Sequence, residues 1–394
     1  MISVEEALDR VFALVTPLGA EPVPLAEANG RVLAADVAAA RAQPPFDASA
    51  MDGYAIRGLS AGPGARFRVI GEAGAGHAFS GRIGPGEALR IFTGAPMPDG
   101  ADRVVIQEDV SRDGDSIVLG DKLDSGTNIR PCGGDFPAGF RMTAPRRLRP
   151  HDLALLASMN VPLVPVTRRP VVALIATGDE LVMPGENPRP DQIIASNTFA
   201  LKALVEAEGG QARMLPIARD TEAELAQVLG MAAGADLIVT VGGASVGDHD
   251  LVGKVAGDLG MERAFYKIAM RPGKPLMAGR LGDAAMLGLP GNPVSAIVCA
   301  HLFMLPMLRA MLGLGTEAPP RARAVLAADV GPTGPRMHFM RARLTPGDDL
   351  PRITPFDRQD SSLLGVLSAA DALLIRPLGD IARPAGTEVA YLPL

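Results

Sequence analysis

The chain has 394 residues, 47% of them apolar and 21% charged, which fits a globular protein of two to four domains with sizeable cores. A formal net charge of −6, 4% aromatic residues and no Trp leave neither the basic footprint nor the stacking surface of a nucleic-acid-binding protein. Two distant cysteines, Cys132 and Cys299, and five scattered histidines exclude a disulfide framework, a zinc quartet and a histidine metal triad.

The opening MISVEEALDR is acidic and amphipathic, without the basic and apolar regions of a secretory signal. Ser3 and Glu6 form an S-x-x-E capping box, and Val4, Ala7, Leu8, Val11, Phe12 and Val15 recur at helical spacing. The pattern predicts a helix ending near Pro17. From Phe46 to about Pro145 the texture becomes short β-type runs, RFRVI and RVVIQ among them, broken by Gly and Pro. Asp113-Gly114 marks a hairpin between RVVIQEDV and SIVLG. Stretches 25–41 and 145–169 flank this small, mostly β domain and are expected to pair into a connecting arm.

Beyond Pro170 strands and helices alternate. VVALIAT, ARMLPIA and DLIVTVGG read as successive strands, with AFYKIAM and AMLGLP following. Helices are predicted from Ser196-Asn197 to Gly209-Gly210, from the Thr221–Glu224 capping box, from about Asp250, and after Gly291-Asn292-Pro293. Such alternation predicts a mainly parallel sheet with helices on both faces. RAVLAADV, HFMRARL, PRITPF, ALLIRPL and EVAYLPL then predict a terminal β-barrel or sandwich. The expected organisation is a helix and arm (1–45 with 146–169), a small β domain (46–145), a doubly wound domain (170–318) and a β-barrel-like domain (319–394). The most apolar region, 294–312, is interrupted by His301, Pro306 and Arg309, so no membrane association and a cytoplasmic location are expected.

Ligands of open α/β sheets bind beyond the carboxyl ends of the strands. Ala176-Thr177-Gly178-Asp179-Glu180, Ala218-Arg219-Asp220, the run Val241 to Asp250, Met270 to Pro275 and Leu289 to Pro293 all fall there. The glycines of VGGASVGDHD can turn backbone N–H groups toward an anion ahead of a helix, or simply make a tight β-to-α turn. Neither a dinucleotide fingerprint nor a P-loop is present. Glu180, Asp220 and Asp250 beside Lys267, Arg271 and Lys274 suit an anionic ligand held partly through a divalent cation. No Ser-His-Asp or Cys-His constellation appears, and His249 receives no role.

Seven stretches together resemble one family. FDASAMDGYAIR, RIFTGAPMPDGADRVVIQED, NIRPCGGDFPAG, ATGDEL, VGGASVGDHD, KIAMRPGKP and LGLPGNPVSA occur in the order and spacing of molybdopterin molybdenumtransferases, the MoeA family. That family includes the E domains of gephyrin and of plant molybdenum-insertion proteins. The resemblance spans the chain, strong through Pro293 and looser toward the C-terminus. It implies that adenylylated molybdopterin and molybdate give molybdenum cofactor and AMP, with Mg²⁺ required.

It also implies an elongated homodimer whose active cleft is shared between subunits. Asp52, Thr93 and Asp135 would face Glu180, Asp220 and Asp250 of the other chain, with Asp52 and Asp250 as Mg²⁺ ligands. Lys267, Arg271 and Lys274 would hold phosphate or molybdate oxygens. The molybdopterin site would draw on Thr177, Gly178, Ser245, Pro290 and Pro293, and on the N–H groups of Gly242, Gly243 and Gly247. Arg341 and Ser361 would contact molybdate. Two departures stand out: Ala48 occupies a position where many members have Asn, and Arg271 one where Lys is common. The rival readings are a molybdopterin adenylyltransferase and a non-catalytic molybdopterin-binding scaffold. Other proteins of molybdenum cofactor biosynthesis are the expected protein partners.

Overall fold

A computed structural model describes residues 1–243 and 251–394. The chain forms two compact units, one of Met1–Glu21 with Thr167–Leu394 and one of Pro22–Val166. Helix α1 (Val4–Phe12) opens as its capping box predicts, with Ser3 Oγ accepting from the Glu6 N–H at 3.0 Å. It ends at Phe12 instead of near Pro17, because the Leu14 and Val15 N–H groups turn back to Val11 and Phe12 in a tighter i→i−3 pattern. Val4, Ala7, Leu8 and Val11 are buried in one core with Val172, Leu174, Leu237 and Val239. The opening helix therefore packs on the parallel-sheet unit and not on the arm.

Within Pro22–Val166, six strands form one sheet: β1 (Gly53–Ile56), β2 (Arg66–Ala73), β3 (Glu87–Ile91), β4 (Arg103–Ile106), β5 (Val110–Asp113) and β6 (Ser116–Leu119). Their order is β4-β1-β3-β2-β6-β5. The Asp113-Gly114 signal does close a hairpin, with Asp113 opposite Ser116. RVVIQEDV, however, is two strands separated by a 3₁₀ turn at Gln107–Asp109. The flanking stretches pair as the arm: Val32–Leu33 lies between Arg146–Arg147 and Leu163–Thr167, and helix α2 (Pro150–Ser158) joins those two.

The larger unit carries a six-stranded mixed sheet of β7 (Val171–Ala176), β8 (Gln211–Met214), β9 (Leu237–Val241), β10 (Glu262–Tyr266), β11 (Met277–Leu281) and β12 (Ala284–Leu289). The order is β8-β7-β9-β12-β11-β10; the first four are parallel and the last two antiparallel. Strand β11 was not legible in the sequence, since MAGRL is short, holds a Gly and follows Pro275. Helices α3 (Asn197–Glu208), α4 (Glu222–Met231) and α5 (Leu251–Asp258) alternate with the strands. The long α6 (Pro293–Met311) contains a π-helical turn at Ala300–Met304. It is the one helix among the described residues apolar and long enough to cross a membrane, and 83% of its apolar window is buried inside the protein.

The five C-terminal strands predicted from sequence, β13 (Ala322–Leu326), β14 (Met337–Thr345), β15 (Arg352–Pro355), β16 (Ala372–Arg376) and β17 (Glu388–Pro393), close a barrel in the ring β14-β15-β13-β17-β16, with the short helix α7 (Leu364–Ser368) ahead of β16. Closure leaves no free edge in the ring. An ion triad built on buried Arg376 and Asp380 anchors one end: Arg376 Nε donates to Asp380 Oδ2 at 2.7 Å and the more exposed Arg383 donates to Oδ1 at 2.8 Å. Asp380→Asn would strand Arg376, whose side chain is 1% exposed, without its counter-charge. The expected loss is about 3–5 kcal/mol, read as a lowered midpoint of denaturant unfolding. Burial alone would raise the Asp380 carboxyl, but hydrogen bonds and charge from Arg383 and Arg376 outweigh it and hold it below its ordinary 3.8. This contribution is therefore present above that ordinary value and disappears as pH falls through the lower folded-state value.

Candidate functional site

Strands β7, β9 and β12 end together at Ala176, Val241 and Leu289, and a cavity of about 1000 Å³ opens beyond them. Ala176, Val241 and Pro290 lie on its wall, as the rule for parallel sheets requires. Of the residues singled out in the sequence, Thr177, Gly178, Glu180, Asp220, Gly242, Gly243, Pro290 and Pro293 line it. Asp250, Ser245 and Gly247 lie outside the described residues.

The floor is built by backbone. Gly242 and Gly243 have φ of 99° and 62°, the left-handed region. A Cβ on Gly242 would sit 2.6 Å from the Thr177 carbonyl oxygen. Gly242→Ala is therefore expected to cost about 1–3 kcal/mol from backbone strain alone, measurable by denaturant unfolding. The Gly242 N–H donates to the Leu289 carbonyl at 3.1 Å. That corrects the expectation that it faces a ligand phosphate, because the donor is already spent. Thr177 is likewise structural in part: it is buried and its N–H donates to the Val241 carbonyl.

Two helix N-termini open on the cavity. Ser196 precedes α3 without a side-chain cap, and Asn197 instead donates from Nδ2 to the Gly291 carbonyl at 2.8 Å. Asn197 Oδ1 is buried without a partner among the described residues. At α6, Asn292 donates from Nδ2 to Ser361 Oγ at 3.0 Å and Ser362 joins the lining. The positive ends of both helices thus favour an anionic ligand. Against them stand exposed carboxylates. Glu222 is paired with Lys254, whose ammonium is pushed upward chiefly by that hydrogen bond. Glu180 and Asp220 have no cationic side-chain partner among the described residues. Arg219 shapes their loop, donating to the carbonyls of Gly178, Asp179 and Leu181.

Arg271 lines a smaller pocket of about 110 Å³ together with Thr333, Arg336 and His338. Parallel pairing of Met270–Arg271 with Met337–His338 puts them side by side. Burial first, then the charges of Arg271, Arg341, Arg336 and Arg376, push His338 down to about 4. Loop 271–275 joins the two cavities, with Arg271 in the smaller and Pro275 in the larger. Lys267 and Lys274 line neither. Lys267 holds a strained φ of 76° with its ammonium 4.9 Å from the Tyr266 ring centroid. Sequence reasoning missed Arg336 and His338; the R-x-H step at the start of HFMRARL was the available signal.

Arg341 is chiefly structural. It is 2% exposed, and its guanidinium is spent on Gln359 Oε1 and the carbonyls of Arg358 and Asp360. It therefore fixes the loop leading to Ser361 and Ser362, with four of its five N–H donors committed to that loop. Ser361 does not line the larger cavity itself, but its Oγ accepts from Asn292, which does.

In the other unit Asp52 sits in an exposed turn just before β1. Its Oδ1 accepts from the Thr93 N–H at 2.8 Å and the Thr93 hydroxyl at 2.7 Å. The Thr93 backbone bond, then its side-chain bond, hold the carboxyl below its ordinary value, with Arg90 adding to the effect. Asp135 is exposed in a loop tied to Gln43, Pro44 and Asp47. Ala48 pairs with Arg130 across a short ladder, and its methyl is buried.

The fold and its cavity define a multidomain α/β protein with a ligand site at the carboxyl end of a parallel sheet, joined to a closed β-barrel. Family models match the chain almost throughout: the MoeA N-terminal region (domain I and II) over residues 2–160, a probable molybdopterin binding domain over 173–310, and the MoeA C-terminal region (domain IV) over 323–394. The chain belongs to the molybdopterin molybdenumtransferase, or MoeA, family. It is 34% identical to the molybdopterin molybdenumtransferase of Nostoc sp., spanning 100% of this chain and 94% of that one. The Bacillus subtilis molybdopterin molybdenumtransferase is also 34% identical, over 99% of this chain and 94% of its own. The crystal structure of the molybdopterin biosynthesis moea protein from Pyrococcus horikosii superposes with a TM-score of 0.86 at 31% identity, covering 100% of this chain and 99% of that chain.

Proposed function

We propose that this chain is a molybdopterin molybdenumtransferase, taking adenylylated molybdopterin and molybdate to molybdenum cofactor with release of AMP. One observation carries the reading: the molybdopterin-binding-type sheet occurs within a chain that matches these transferases from end to end. An adenylyltransferase has no need of the other regions. A scaffold has no reason to keep Glu180 and Asp220, without a cationic side-chain partner among the described residues, on the wall of a cavity suited to an anion.

The two helix N-termini hold the pyrophosphate, with the Gly242-Gly243 floor beneath it. Water adds to one phosphorus, and the bridging oxygen leaves with the other, so that no protein nucleophile is needed. Molybdate, a tetrahedral dianion, is held at Arg271 and Arg336 with loop 271–275 leading toward the substrate. Among the described residues no three of His, Cys, Asp or Glu cluster to hold a metal ion by themselves; Glu180 and Asp220, without a cationic side-chain partner among those residues, are hard oxygen donors of the kind that, with substrate oxygens, fit Mg²⁺. Glu180, Asp220 and Asp52, with Asp250, are the residues that would hold the ion, which neutralises phosphate charge when bound. In this reading the protein is a homodimer, and Asp52, Thr93 and Asp135 of one protomer face the cavity of its partner.

The test measures AMP release from adenylylated molybdopterin and Mg²⁺, with and without molybdate. Release that depends on molybdate supports the transferase. Formation of adenylylated molybdopterin from molybdopterin and ATP would favour the adenylyltransferase, and ligand binding without turnover the scaffold.

A further inference from the structure

Arg90 is not an obvious functional residue. It lies in mid-strand in β3, opposite Tyr54 of β1, in a region where cations are common. Its guanidinium nevertheless closes a ring around the backbone of Asp52. One amino group, Nη1, donates at 3.1 Å to the carbonyl of Gly53, the residue immediately after Asp52. The other, Nη2, donates to Gln107 Oε1 at 2.7 Å. The Gln107 N–H in turn donates to the carbonyl of Asp52 itself at 3.1 Å. Two aromatic rings hold the guanidinium in place, Tyr54 at 5.1 Å and Phe92 at 4.7 Å from their centroids. Phe92 directly precedes Thr93, the residue that binds the Asp52 carboxylate through both its N–H and its hydroxyl.

We infer that Arg90 is a positioning residue for Asp52. It ties together the three segments that fix this carboxylate: the turn into β1, the end of β3 with Phe92-Thr93, and the 3₁₀ turn at Gln107. Only Arg fits the arrangement. A planar fork can donate in two directions while stacking between two rings, whereas a lysine keeps the charge and loses the fork. The inference rests on the reading of Asp52 as part of the working site, and the readouts separate the two.

The experiment compares Arg90→Lys and Arg90→Met with the unaltered protein and with Asp52→Asn. The chemical shift and hydrogen exchange of the Thr93 amide at pH 7 report its bond to the Asp52 carboxylate without any need for turnover. Arg90→Met is expected to move that resonance and speed its exchange as the Thr93 bond weakens. Arg90→Lys should change it less. In the AMP-release assay Arg90→Met should lower kcat about ten- to a hundredfold with little change in KM. Combined with Asp52→Asn it should add almost nothing, because both act through one group. A Thr93 amide unchanged in Arg90→Met, or losses that multiply in the double variant, would overturn the inference. If Arg90→Met does not fold, Arg90→Lys carries the test: an unchanged Thr93 amide together with unchanged kcat counts against positioning. Full activity in Asp52→Asn removes Asp52 from the mechanism, while the Thr93 amide still decides whether Arg90 positions it.

Discussion

Asp52→Asn is expected to lower molybdate-dependent AMP release by about 10²–10³-fold while leaving the unfolding midpoint near that of the unaltered protein. The substitution is nearly isosteric. An Asn side-chain oxygen can still accept from the Thr93 N–H and hydroxyl, which bind Oδ1 in the native chain. What changes is Oδ2 and the negative charge it shares, so the comparison isolates the charge. Thr93 holds the carboxyl below its ordinary 3.8, and it is therefore ionised throughout neutral and mildly acidic solution. Titration of Asp52 accordingly does not shape activity near pH 7, and the deficit of the variant should be flat there. Mixing Asp52→Asn with Asp220→Asn tests the proposed shared cleft, since in that arrangement a heterodimer would keep one intact site. Recovery of activity on subunit exchange supports that arrangement, and no recovery contradicts it. Equal AMP release by native protein and Asp52→Asn would leave the family standing and remove Asp52 from the mechanism.

Arg336→Ala is expected to raise the molybdate concentration for half-maximal activity about 10–100-fold and to leave the affinity for adenylylated molybdopterin nearly unchanged. The magnitude follows from losing a charge-assisted hydrogen bond, about 1.5–3 kcal/mol. Arg336 shares its pocket with Arg271 and His338, and its size of about 110 Å³ is that of three or four waters, enough for a tetraoxo anion. His338 is held near 4 by burial and four neighbouring arginines, so at working pH it is a neutral donor and adds no charge. Half-saturation by molybdate should therefore not depend on His338 protonation between pH 6 and 8 (roughly two or more units above its midpoint). Arg271→Lys keeps the charge and should cost less than Arg336→Ala. An unchanged molybdate dependence in Arg336→Ala would move the oxyanion elsewhere, with Lys274 the next candidate. Isothermal titration with molybdate alone distinguishes lost binding from lost turnover.

Much of the local structure was legible because local chemistry decides it. The Ser3 and Thr221 caps, the Gly209 stop, the Asp113-Gly114 hairpin and the five barrel strands all follow from turn residues and period-two or helical spacing. The parallel sheet was legible for the same reason, and with it the rule that places a ligand at the ends of β7, β9 and β12. Seven motifs in order also carried the family.

Other features depended on which distant groups meet, and no local pattern encodes that. Gly242 looks free to donate until β12 brings the Leu289 carbonyl to its N–H. Arg341 reads as a ligand until the barrel folds loop 358–360 around it. Arg336 and His338 gain meaning only when the short strand Met270–Arg271 lies parallel to β14. Arg90 acts through Gly53 and Gln107, both remote in sequence and adjacent only across the sheet. The sequence by itself determined the elements, the family and the residue types able to hold an anion. Tertiary structure alone decided which donors were already spent inside the fold and which remained for a ligand, because a hydrogen bond to a carbonyl far along the chain leaves no trace in local spacing.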